Sequence, residues 1–194
     1  MRNSWIFNVL ILVMLGLSGC IFEPREADRP SGTDEYPWVV PNIFTDALHN
    51  LTTGFASNVD SNYQRSLDEA SFAFHPTVED SLGFPAGTFD DWTKAVELDW
   101  LRTIKENYTG ARTLRFGDEN GVFTSKIEET KKVILEGEYQ ITLEPTPGAT
   151  KVTYEGTARF TLVQGSQGWV MAQWQDIAAI GTNDTSSDLR GTWR

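Results

Sequence analysis

Lys151-Val152-Thr153-Tyr154-Glu155-Gly156-Thr157-Ala158-Arg159-Phe160-Thr161-Leu162 alternates polar with apolar or small residues over its whole length. Side chains of a strand point to opposite faces in turn, so such a stretch is a strand with one buried face and one wet face. Upstream, Val133, Leu135, Tyr139, Ile141 and Leu143 share a face of a second such segment, and Pro145-Thr146-Pro147-Gly148 supplies the turn between the two. A long antiparallel hairpin is therefore predicted. Beyond the turn Gly165-Ser166-Gln167-Gly168, the segment Trp169–Trp174 adds a third, central strand, and residues 112–116 supply a shorter one at an edge. On strict alternation Trp169 and Trp174 fall on opposite faces.

The period changes upstream of these strands. Ile43, Ala47, Leu48, Leu51 and Phe55 recur at helical spacing after Pro41, with Asn42 as the cap. A short second helix starts at Asp60 and buries Tyr63 and Leu67. Ala70–His75 reads as a brief strand stopped by Pro76. A third, longer helix is predicted after Gly87, with Thr88 as cap and an apolar stripe of Phe89, Trp92, Val96, Trp100 and Ile104. The polar run 182–187 reads as a loop, with Trp193 returning to the body.

The first residues give a different signal. One basic residue, Arg2, precedes an apolar run from Trp5 to Leu15, too short for a span of ~20 residues but suited to the core of a signal peptide. Leu17-Ser18-Gly19-Cys20 then resembles the lipobox of bacterial lipoproteins. That resemblance implies a signal over residues 1–19, lipid on Cys20 as the first mature residue and membrane attachment through it. Ile21 at the second mature position implies the outer membrane, where the cell has one. Cys20 is the only cysteine, which excludes an intrachain disulfide. Residues 20–37, charged and proline-containing, read as the lipidated cysteine and a flexible tether. Residues 38–194 make one domain of ordinary size.

Loss of the signal removes Arg2 and no acid, leaving 15 basic against 27 acidic residues, or −12. This argues against nucleic acid as a partner. Two histidines 26 positions apart give no metal-ligand spacing. There is also no glycine-rich phosphate loop and no nucleophile elbow, and no cofactor is implied.

Two helices, a short strand, a long helix and a run of antiparallel strands form an α+β arrangement. The helix stripe with Leu48 and Leu51, the passage Tyr63, Leu67-Asp68 and Phe72-Ala73-Phe74, and the close Gly168-Trp169 to Gln173-Trp174-Gln175-Asp176 resemble the nuclear transport factor 2-like superfamily. This superfamily includes ketosteroid isomerase and the SnoaL-like cyclases, and the likeness is strongest to its bacterial lipoprotein branch. The resemblance implies a cone-shaped fold: three N-terminal helices packed on a curved antiparallel sheet of four to six strands. It also implies a pocket, here lined by Phe72, Phe74, Trp92, Tyr139, Tyr154 and Phe160, and a homodimer through the sheet face.

The two best strands put no carboxylate on the inner face, and no catalytic residue is assigned. His75 and His49 read as surface and boundary residues, Asp60 as a helix cap and Asp68 as a loop acid. Glu128-Glu129 and Asp90-Asp91 read as solvated pairs. The expected function is non-catalytic binding of an apolar small molecule or an envelope partner protein by a lipid-anchored domain. An isomerase- or cyclase-like enzyme would require a buried acid or base, and a purely structural module would require a filled interior.

Overall fold

The computed structural model describes residues 36–58, 60–181 and 184–194, which belong to one compact unit. The signal, Cys20 and nearly all of the tether lie outside the described residues.

In chain order the elements are α1 (Phe44–Ala56), α2 (Ser61–Arg65), β1 (Ala73–His75), α3 (Val78–Gly83), α4 (Lys94–Asn107), β2 (Arg112–Phe116), β3 (Ser125–Glu129), β4 (Lys132–Leu143), β5 (Val152–Gly165), β6 (Gly168–Ala179) and α5 (Ser186–Thr192). The predicted hairpin of β4 and β5 is present, with Leu135 opposite Phe160, Tyr139 opposite Gly156 and Leu143 opposite Val152. β6 continues the antiparallel sheet and is internal. β2 lies at an edge, on the end of β4 that carries Tyr139 to Leu143, while β3 pairs with the other end of the same edge. β3 is exposed throughout, which agrees with a solvated Glu128-Glu129.

The sheet corrects the expected cone. It is six-stranded and mixed, because β1 runs parallel to β6, and its path β1-β6-β5-β4-β2 ends without the outer strands meeting. Edge strands of three and five residues form too few ladder hydrogen bonds to bring the two ends of the sheet together. The sheet is thus open rather than curled into a cone, and helices cover its apolar face.

The helices also differ from expectation. Five are described, not three, since α3 and α5 join the set. The long helix begins at Lys94 with Thr93 as its N-cap residue, so Phe89 and Trp92 precede it. Asp91 has φ 51°, the left-handed region, and breaks any helix running from Gly87 through it. α1 begins one residue later than an Asn42 cap allows, and the Asp46 carboxylate accepts from the Ile43 N–H at 3.1 Å.

The core is a continuous aromatic and aliphatic cluster between the helices and the sheet. At its centre the Trp174 ring lies 5.1 Å from Phe160, 5.3 Å from Tyr139 and 5.5 Å from Phe116. Such edge-on and tilted aromatic pairs contribute about 0.5–1.5 kcal/mol each beyond their buried area.

Candidate functional site

α4 is amphipathic, and its inward positions are Glu97, Trp100, Leu101 and Ile104, all buried. Three of these are apolar and the fourth is a carboxylate. Glu97 is wholly buried, as is Arg190 of α5, and the two form a forked ion pair: Nη2 donates to Oε1 at 2.7 Å and Nε donates to Oε2 at 3.0 Å. From its other side Glu97 receives the Tyr63 hydroxyl on Oε1 at 2.7 Å and the Trp92 indole N–H on Oε2 at 2.8 Å. A carboxylate offers about four lone-pair positions, and four donors fill them here. Glu97 has no acceptor capacity left for a substrate proton.

A second buried acid, Asp176, enters from β6. Strict alternation would not bring it to the same face as Trp169 and Met171. The register between β5 and β6 shifts where Thr161 faces Gln173 and Leu162 faces Met171, leaving Ala172 as the extra residue of a bulge. Met171 and Ala172 are therefore both buried, and the phase flips so that Trp174 and Asp176 face inward with Trp169. This overturns the reading of Trp169 and Trp174 as residues of opposite faces.

Asp176 Oδ1 accepts from the Trp174 indole at 2.8 Å. Oδ2 accepts from the Ser186 and Ser187 hydroxyls, both at 2.7 Å, from the Ser187 N–H at 2.9 Å and from the Tyr139 hydroxyl at 3.2 Å. The Tyr139 oxygen in turn accepts the Ser186 N–H at 2.8 Å. Gly156, opposite Tyr139, makes room for this hydroxyl, since a Cβ there would stand 2.8 Å from it.

Both acids are thus met by α5, where a loop was expected. The sequence Thr185-Ser186-Ser187-Asp188 is a capping box: the Thr185 hydroxyl accepts from the Ser187 and Asp188 N–H groups, and Asp188 Oδ2 accepts from the Thr185 N–H at 2.9 Å. A short helix follows, with Ser186, Ser187, Leu189 and Arg190 buried. α3 is tied to it by the Ser187 hydroxyl, which accepts from the Thr77 N–H at 3.2 Å, and by the Thr185 hydroxyl, which donates to Asp80 at 2.7 Å. Trp193 does return to the body, edge-on to Tyr108 at 5.9 Å.

Burial is the largest single influence on Arg190 and opposes its charge, but the charge and hydrogen bonds of Glu97, with Tyr63 and Asp176, together outweigh it and raise its pKa above the ordinary value. Burial raises Asp176, partly offset by Arg190 and the two serines. Burial, then the Glu97 charge, raises the Tyr63 phenol well above its usual value. Burial and Asp176 likewise raise Tyr139.

Of the residues expected to line a pocket, Phe72, Phe74, Trp92, Tyr139 and Phe160 are buried in the core. Phe74, Trp92 and Tyr139 border the polar cluster. Tyr154 is only half-buried, beside Tyr108 at the end of the hairpin, and burial raises its phenol. The polar cluster itself, built by Glu97, Asp176 and Arg190, was not foreseen. Glu97 carried a readable signal, three, four and seven residues before Trp100, Leu101 and Ile104. Asp176 carried none, because a bulge leaves no mark on alternation until pairing is known.

His49 and His75 are exposed. Asp60 does not cap α2 through its side chain and instead pairs with Lys105 at 2.7 Å. Asp68 receives the N–H and hydroxyl of Ser71 in a turn. Among the described residues no group of three or more His, Cys, Asp or Glu side chains is placed to hold a metal, and no helix is long and apolar enough to cross a membrane.

Two clefts open on the surface, the second walled in part by Trp100, whose ring packs on Arg190. One, of about 230 Å³, runs between Arg65, Lys94 and the Gly165–Gly168 turn; the other, of about 280 Å³, lies between α4 and Trp193. The outer face of the sheet is polar, with Arg159 paired to Glu136 at 2.8 Å and Gln140 donating to Glu155 at 2.9 Å.

No family model matches the chain, and no curated protein matches it. Solved structures do. A proposed aromatic ring hydroxylase from Novosphingobium aromaticivorans is 11% identical, with 75% of this chain and 92% of that one covered and a TM-score of 0.54. The Kfla4162 protein of Kribbella flavida is 9% identical, covering 76% and 93%, with a TM-score of 0.53. A nuclear transport factor 2-like superfamily protein of Salmonella enterica is 10% identical, covering 72% and 90%, at 0.49. At such identities the likeness is one of fold alone.

Proposed function

We propose that this chain is a lipid-anchored protein of the bacterial cell envelope whose domain, residues 38–194, binds rather than transforms. The observation that carries the non-catalytic half is the saturation of Glu97. All four of its acceptor positions are taken by Tyr63, Trp92 and Arg190, so the interior acid of α4 has no free lone pair to serve as a base. Asp176 is engaged in the same way by five donors of its own chain. The lipobox-like Leu17-Ser18-Gly19-Cys20 supports the anchor, and membrane association through Cys20 is part of the same proposal.

A partner-protein form of the reading is favoured by Val78 and Leu82, which stand on one side of α3 at 80% and 81% exposure. Native mass spectrometry of the full chain, extracted in mild detergent from its host's envelope, tests both halves. The expected mass is that of a chain beginning at lipid-modified Cys20, with an added small molecule or partner. An unmodified precursor contradicts the anchor, and a lipidated chain with nothing bound contradicts the binding role.

A further inference from the structure

Arg190 of α5 is wholly buried. Its guanidinium carbon lies 4.2, 4.4 and 4.5 Å from the ring centres of Phe74, Trp100 and Trp174, while its Nε and Nη2 meet the two oxygens of Glu97. Those four residues come from β1, α4 and β6. Tyr63 and Trp92 each donate to one oxygen of the same carboxylate, so two partners outside α5 also hold it. A carboxylate fork below three aromatic faces is the chemistry that recognises a planar guanidinium.

We propose that the body of the domain holds a recognition site for an alkylguanidinium group, that α5 is its ligand in cis, and that a small molecule bearing such a group binds where Arg190 stands. This deepens the binding reading above and rests on it, while its test leaves the lipid and any protein partner untouched. A ligand must displace Arg190, so its apparent affinity is its intrinsic affinity multiplied by the fraction of molecules in which α5 is unseated.

The probe is methylguanidinium chloride at low millimolar concentration, added to the full chain carrying Arg190→Ala. Sodium chloride and urea at matched concentration are the controls. The variant leaves Glu97 buried without its cation, and its melting temperature falls well below that of the parent. Methylguanidinium is expected to raise it saturably, as a ligand of the folded state does, and to leave the parent unchanged.

The double variant E97Q/R190A lacks both the carboxylate fork and its cation and is expected to fold without responding. If R190A does not fold in buffer, the expected result is recovery of folded protein on dilution from urea only when methylguanidinium is present. No shift and no recovery in R190A, or an equal response in E97Q/R190A, overturns the proposal.

Discussion

Arg190 and Glu97, 93 positions apart in the chain, meet through two charge-assisted hydrogen bonds of 2.7 and 3.0 Å with both side chains wholly buried. The pair joins the C-terminal helix to the longest helix of the domain and makes the interior dependent on α5. Its energetics are asymmetric. Desolvation offsets much of the attraction, whereas removal of one partner leaves a bare charge in the core.

Single substitutions Glu97→Gln and Arg190→Met are therefore expected to destabilise the domain by about 3–5 kcal/mol each. The double variant is expected to cost far less than their sum, because neither charge is then left alone. Urea unfolding of the four proteins measures the coupling. Simple additivity would mean that the two side chains do not depend on each other.

Alkaline pH weakens the fold through Tyr63 and Tyr139. Burial, reinforced by Glu97 and Asp176, raises both phenols above their ordinary pKa of 10.0. The folded state thus keeps two protons that the unfolded chain releases, so this contribution is complete below about pH 10 and is lost as pH rises beyond it. Each phenol adds a slope of about 1.4 kcal/mol per pH unit. Phenol absorbance followed with circular dichroism should show both tyrosines ionising only as the protein unfolds, and Y63F should flatten the slope.

Gly156 and Tyr139 are coupled through space. A methyl at 156 would stand 2.6 Å from the Ala178 carbonyl and 2.8 Å from the Tyr139 hydroxyl, pushing the phenol off Asp176. Gly156→Ala is expected to cost about 1–3 kcal/mol, and less in a Y139F background, where the clashing oxygen is gone. Thermal melts of both single variants and the double variant measure the difference.

Arg112 closes the end of α1. Its guanidinium donates to the Ala56 and Ser57 carbonyls, to Asn58 Oδ1 at 2.7 Å and to the Tyr108 carbonyl at 2.6 Å. Arg112→Met leaves these acceptors without their cation and should cost about 2 kcal/mol. Lysine should recover only part of the loss, since an ammonium lacks the planar fork. Hydrogen exchange should accelerate in the last turn of α1 and at the Tyr108 end of α4, and remain unchanged in the first turns of α4.

Alternation made the β4–β5 hairpin legible in the sequence, because each strand buries one face and wets the other. The helical stripe of α1 was legible for the same reason. The open, mixed sheet was not: the parallel seating of a three-residue β1 beside β6 is a long-range choice that local pattern does not encode.

The cluster was hidden by two specific features. The bulge at Ala172 reverses the parity of β6 and brings Asp176 inward. Glu97 sat on an apolar helix face, but the stripe drawn through Val96 took the neighbouring position. The capping box Thr185-x-x-Asp188 could have revealed α5, and with it Arg190 as a helical residue near the core.

The most direct test of the buried pair is nitrogen-15 NMR of the arginine side chains in the full chain, with the Arg190 Nε–H assigned by its loss in R190K. The account predicts that this proton exchanges slowly, persists above pH 8 where exposed arginine signals have vanished, and loses its protection in E97Q. An Arg190 Nε–H that exchanges as fast as those of exposed arginines would contradict it, because α5 would then not seal the interior.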